Sequence, residues 1–110
     1  MTTKINIGGQ DREFTFCLGM QGDILEDLNM GFIEFCSKVD SNPFKYRPIV
    51  MQYAYNYKND NKVELSTILD WIEQDGDIHS IALQKFNIAY TNYLTKNVPV
   101  QDSKKKVVKI

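Results

Sequence analysis

The chain reads as an α+β fold, mainly α, with an N-terminal β-hairpin packed on a bundle of about four to five helices. Three observations lead there. Residues 4–18 alternate apolar and polar side chains around a glycine pair, the period of paired strands. From Met20 onward apolar residues recur at helical spacing in several separate runs. The composition, 43% hydrophobic, 25% charged and 12% aromatic over 110 residues, is that of one globular domain with a modest core. We assign residues 1–97 to that domain and residues 98–110 to a flexible basic tail.

In the hairpin, Ile5 and Ile7 alternate with Lys4 and Asn6, and Phe14, Phe16 and Leu18 alternate with Glu13, Thr15 and Cys17. Gly8-Gly9-Gln10-Asp11 separates the runs, with glycines free to take the positive φ of a tight turn. A lone hairpin is marginal in water, so its apolar face needs helices or another chain beneath it. Gly19 breaks the strand pattern. Met20, Ile24, Leu25 and Leu28 then mark a helix at 20–29, stopped by Asn29-Met30-Gly31. Phe32, Ile33, Phe35, Cys36 and Val39 mark a second at 31–39.

The stretch Pro43–Tyr57 is the most aromatic and apolar of the chain, and the rest should pack around it. Ile49, Val50, Tyr53, Ala54 and Tyr57 form one buried stripe, while Met51 and Tyr55 lie off it. A second apolar surface means a central helix with neighbours on two sides, or one side given to a partner. Pro48 inside a helix costs about 3 kcal/mol, so the expected arrangement is a separate turn at 43–47 and a helix at 48–58. The polar run Lys58–Lys62 is a loop. Ser66 is placed to cap a helix at 66–74 with Leu65, Ile68, Leu69 and Ile72 inward and Trp71 beside them. Asp77 is placed to cap the last helix, 78–95, whose period is Ile78, Ile81, Ala82, Phe86, Ala89, Tyr93 and Leu94.

Charge and motifs exclude several function classes. Formal net charge is −1. After Gln101, Asp102 stands against Lys104, Lys105, Lys106 and Lys109, a balance of +3 that leaves −4 for the body. Nucleic acid is therefore not an expected partner: lysines without interleaved aromatics give only weak, salt-sensitive contact. No run approaches the roughly 18–20 apolar residues that span a bilayer. The start MTTKINIGG lacks a signal peptide's apolar segment, so we expect a cytoplasmic location and no membrane. Cys17 and Cys36 have no metal or redox spacing and read as buried reduced thiols. His79, the only histidine, adjoins Ser80, but helix neighbours point apart and make no nucleophile–base pair. Asp70–Asp77 lacks the alternating oxygen ligands of a calcium loop, and Gly8-Gly9 opens no G-x-x-x-x-G-K-[ST] motif. We expect no enzyme, no catalytic residues, no cofactor and no metal.

Tyrosines remain. Tyr46, Tyr53, Tyr55, Tyr57, Tyr90 and Tyr93 cluster on two helices, and tyrosine offers large contact area at low entropic cost. The candidate partner-binding residues are Met51, Tyr55, Tyr90 and Tyr93.

The order of these elements resembles the tail assembly chaperones of long-tailed phages and prophages. INIGGQDREFTFCLGM is similar to that family's opening hairpin and first helix, NPFKYRPIVMQYAYNY to its middle helix, and ELSTILDWIEQDGDIHSIALQKF to its last helical pair, over residues 4–95. The resemblance implies a non-enzymatic chaperone in the host cytoplasm. It would bind the tape measure protein, recruit tail tube protein during tail morphogenesis, and be absent from the finished virion. It also implies a longer form made by ribosomal frameshifting, with the A-rich codons of Lys104-Lys105-Lys106 as the expected slippery site. The alternative is a small homo-oligomeric adaptor or regulatory module whose hairpin pairs with its own copy.

Overall fold

The hairpin opens the fold and supplies the floor of the core. In the computed structural model, which describes residues 1–76 and 79–96, β1 (Thr2–Ile7) pairs antiparallel with β2 (Gln10–Thr15), in a register that sets Thr3 opposite Phe14, Ile5 opposite Arg12 and Ile7 opposite Gln10. The loop is shorter than the four residues expected. Gly8 and Gly9 alone make it, at φ +64° and +87°, the double positive φ that matches the twist of paired strands. Gln10 and Asp11 are thereby part of β2. One face of the hairpin carries Ile5, Ile7 and Phe14, and Phe16 continues it; all four are buried. Arg12 shares that face, yet its charge is satisfied: Nε donates to the Ile7 carbonyl at 2.9 Å and Nη2 to the Gly8 carbonyl at 3.3 Å.

Five helices follow: α1 (Leu18–Leu28), α2 (Phe32–Ser41), α3 (Pro43–Asn56), α4 (Leu65–Gln74) and α5 (Ile81–Lys96). The molecule is α+β, mainly α. Leu18 does not extend β2. Cys17 holds the extended conformation of an N-cap, and Leu18 becomes the first residue of α1 with its side chain 76% exposed. Gly19 lies in that first turn, directly beneath the Tyr57 hydroxyl, where any Cβ would collide with the phenol. At the other end Asn29 adopts the left-handed conformation (φ +55°), and the Met30 amide reaches the Leu25 carbonyl, so Asn29 takes the place glycine usually holds in such a stop.

The largest departure from the sequence expectation is at Pro48. Pro43–Asn56 is one helix, with Pro43 at its first position and Pro48 inside it. The missing N–H deprives a single carbonyl, that of Phe44, of its helical donor. Burial on several sides opposes that cost: Tyr46, Pro48, Ile49, Val50, Met51 and Ala54 are all buried, against β2, α1, α2 and α4. Each fully buried aliphatic or aromatic side chain contributes about 1.5–3 kcal/mol, so tertiary packing outweighs the local preference to start the helix at Pro48. The inward stripe differs too. Met51 is fully buried while Tyr57 is 39% exposed.

The loop after α3 is tied down by side chains. Asn56 accepts the Val63 amide at 2.9 Å and donates to the Val63 carbonyl at 2.8 Å. Lys62 Nζ meets the Asn56 and Asn59 carbonyls at 2.9 and 3.0 Å, placing a cation at the negative end of α3. Ser66 does not cap α4. The helix begins one residue earlier, and the Glu64 carbonyl takes the Thr67 and Ile68 amides. Ile68, Trp71 and Ile72 face inward, but Leu69 is 40% exposed. The proposed Asp77 cap, with Ile78 and the basic tail, lies outside the described residues. Ser80 performs a cap's work at α5, its Oγ accepting the Leu83 amide at 3.3 Å. Ala82, Leu83, Phe86, Tyr90 and Tyr93 are the buried face of α5, and Ile81 is exposed. Among the described residues no helix is long and apolar enough to cross a membrane.

Candidate functional site

Three of the four candidate partner-binding residues are core, and the fourth is half-buried against it. Met51 has no exposure, and Tyr90 and Tyr93 are 9% and 7% exposed. Tyr55 is half-buried, its ring 5.1 Å from Trp71 and 5.8 Å from Phe14. The physical reason is that α3 has neighbours all around, so the off-stripe positions meet the hairpin and α4 instead of solvent. Tyr90 and Tyr93 are drawn in by the hairpin: Phe16 lies 5.4 Å from Tyr90 and 6.0 Å from Tyr93, and Phe86 joins them at 5.4 Å from Phe16. Tyr90 donates its hydroxyl hydrogen bond to Oε1 of the buried Gln21. A buried polar pair of this kind satisfies both groups while linking α5 to α1. The expected client surface therefore has to move elsewhere.

A wider set of side chains, with Tyr90 the one candidate among them, lines an open groove. α2 ends where α3 begins, and Phe44 in the first turn of α3 meets the His79 ring just before α5, with centroids 6.2 Å apart. α2, α3 and α5 all contribute side chains to one site. Between them is a cavity of about 130 Å³. Phe35, Cys36 and Val39 form its α2 wall, Asn87, Tyr90, Thr91 and Leu94 its α5 wall, and Val50 and Phe86 its floor. Apolar cavities on the order of 150 Å³ take up a benzene molecule, so this one accepts one or two apolar anchor side chains. Asp40 and Arg47 stand at the rim.

Exposed apolar side chains stand on the same two helices. Ile33, 84% exposed, is one helical turn from Cys36 on α2, with Phe32 (44%) beside it. Ile88, 61% exposed, borders Asn87 and Thr91 on α5. The sequence reading takes Phe32, Ile33, Phe35, Cys36 and Val39 as one stripe. The overlooked signal was its width: Phe32, Ile33, Phe35, Cys36 and Val39 cover more of a ten-residue helix than one neighbour can bury.

Burial favours the neutral form of a thiol and two phenols near these surfaces. Burial, with Asp40 adding to it, raises the Cys36 thiol. Burial raises the Tyr90 phenol strongly. Tyr53 is pushed up to about 12 by burial and by Asp27, to which its hydroxyl donates at 2.5 Å. Both thiols are half-buried rather than enclosed. Phenols and thiols shifted this way donate hydrogen bonds and resist ionisation, the opposite of an activated nucleophile. Among the described residues no three His, Cys, Asp or Glu side chains are grouped to hold a metal ion. What the groove can do is bind apolar side chains. Comparison with protein-family models, curated proteins and solved structures returned no match.

Proposed function

We propose that this chain is a non-enzymatic assembly chaperone that holds an amphipathic helix of a client in the α2/α3/α5 groove, and that the client is the tape measure protein of a long-tailed phage. The supporting observation is the groove itself: a largely apolar cavity bordered by α2, α3 and α5, with Ile33 and Ile88 exposed elsewhere on α2 and α5. A helix laid in a hydrophobic groove binds through anchors spaced i, i+3, i+4 and i+7, and single-domain proteins do not usually leave such apolar surface uncovered without a use for it. The phage role and the recruitment of tail tube protein rest on the resemblance of residues 4–95 to tail assembly chaperones. A body carrying −4 before its basic end keeps such a holdase soluble.

The test is co-expression with the tape measure protein encoded at the same locus. Ile33→Asp combined with Ile88→Asp changes only exposed positions, so folding should hold while co-purification with the client falls at least tenfold. Undiminished co-purification would remove the groove from the proposal. A closed dimer by light scattering, with no client captured by the unaltered chain, would favour the homo-oligomeric adaptor.

A further inference from the structure

Two opposite charges line the α2/α3/α5 cavity. Asp40 stands in the last turn of α2 and Arg47 in the second turn of α3. Among the described residues no ion pair joins them, and neither side chain has a hydrogen-bond partner. Asp40 is exposed, but Arg47 is half-buried. A half-buried guanidinium gives up part of its hydration, and its planar fork recovers most when it meets a carboxylate through two parallel hydrogen bonds. Asn87, also half-buried, brings an amide to the α5 wall that can donate or accept. The rest of the lining is largely apolar, with Phe35, Val50, Phe86 and Leu94.

Apolar walls with a few polar groups among them are the make-up of a small-molecule site: the apolar part supplies area and the polar groups fix orientation. Size and charge together narrow the ligand. Apolar cavities on the order of 150 Å³ take up benzene. One of about 130 Å³ therefore holds a single branched aliphatic or phenyl group and excludes an indole. A carboxylate suits Arg47 and an ammonium suits Asp40, so the polar end of the ligand carries both charges. An α-amino acid with an apolar side chain meets all three conditions. A simple carboxylic acid leaves Asp40 facing a like charge, and an alkylamine does the same to Arg47. An internal residue of a peptide offers neither charge.

We propose that this cavity binds a free α-amino acid of leucine or phenylalanine size, its side chain against the apolar lining, its carboxylate on Arg47 and its ammonium on Asp40. Occupancy is independent of the chaperone reading; its consequence, that the amino acid competes with a client's anchor side chain, rests on that reading. The experiment titrates the isotope-labelled full chain with leucine and follows the methyl signals of Val39, Val50 and Leu94, which line the cavity, by NMR. A ligand this small at an open site has an expected Kd on the order of 1 mM. Leucinamide lacks the carboxylate and isocaproate lacks the ammonium. Each should bind at least about tenfold more weakly than leucine, the loss that one charge-assisted hydrogen bond brings. Arg47→Gln should abolish the difference between leucine and leucinamide, and Asp40→Asn that between leucine and isocaproate. No methyl shift at about 10 mM leucine, ten times that Kd, overturns the proposal. So does binding of leucinamide or isocaproate equal to that of leucine, which makes the cavity an apolar site without use for its charges. Tryptophan binding as tightly as leucine removes the size match and overturns it too. These comparisons are made on the unaltered chain, so they decide the matter even if a variant fails to fold. No client enters the measurement, and its failure leaves the tape measure proposal standing.

Discussion

Replacing Gly8 by alanine isolates one contact on which the hairpin's seating depends. A Cβ at Gly8 would lie 2.7 Å from both Cδ1 and Cγ of Trp71 and 3.1 Å from its Cβ, at a backbone φ of +64°. Two costs add. Placing a non-glycine residue in the left-handed region costs roughly 1–2 kcal/mol, and overpacking against a buried ring about 1–3 kcal/mol. The expected loss is therefore about 2–5 kcal/mol. Gly9 is the internal control, because it has positive φ but nothing within 4 Å of its Cβ, so Gly9→Ala should lose only the backbone part. Urea unfolding followed by fluorescence reads both directly, since Trp71 is the only tryptophan and sits at the contact. Thermal midpoints should separate by roughly 4–8 °C per kcal/mol. If Gly8→Ala is no less stable than Gly9→Ala, Trp71 is not seated on the turn and the hairpin's docking has been misread.

The remaining predictions concern the polar contacts of the core. Tyr90→Phe leaves Gln21 Oε1 buried without its donor, and should cost about 1–3 kcal/mol by urea titration; adding Gln21→Met should recover part of that, and no recovery would mean the pair is not coupled. Arg12→Ala removes the guanidinium 3.6 Å from the Trp71 ring centroid together with two hydrogen bonds to the turn. It should cost about 1–2 kcal/mol and change Trp71 emission, and an unaltered spectrum would refute the stacking. For pH, the folded pKa of Tyr53 lies above its unfolded value of 10.0, at about 12, and Tyr90 is raised in the same direction. The folded state then holds these protons more tightly, so the stabilisation is complete below pH 10 and is lost between pH 10 and 12. The urea midpoint should fall across that window and fall less in Tyr53→Phe, with tyrosinate absorbance as the check.

The periodicities alone carried the order and type of the elements. Alternation around Gly8-Gly9 specified a hairpin, because a period of two can bury only one face of a strand pair. The recurring runs from Met20 to Leu94 specified helices, because their apolar residues meet only at 3.6 residues per turn. Composition and charge made a single domain without metal or nucleotide motifs the expectation, and no tertiary information was needed for that.

Tertiary structure decided what local rules weigh wrongly. Pro48 argued for a helix start, yet neighbours on four elements bury its surroundings and carry the helix back to Pro43. Tyr90 and Tyr93 read as spare aromatic surface, and Phe16 at the end of the hairpin covers them, a contact between the first residues of the chain and its last helix. Ile33 read as an ordinary stripe residue and stands exposed, as does Ile88, which the period of the last helix did not include. A sequence states which side chains avoid water, but whether a given one succeeds depends on which elements, distant along the chain, come to lie against it.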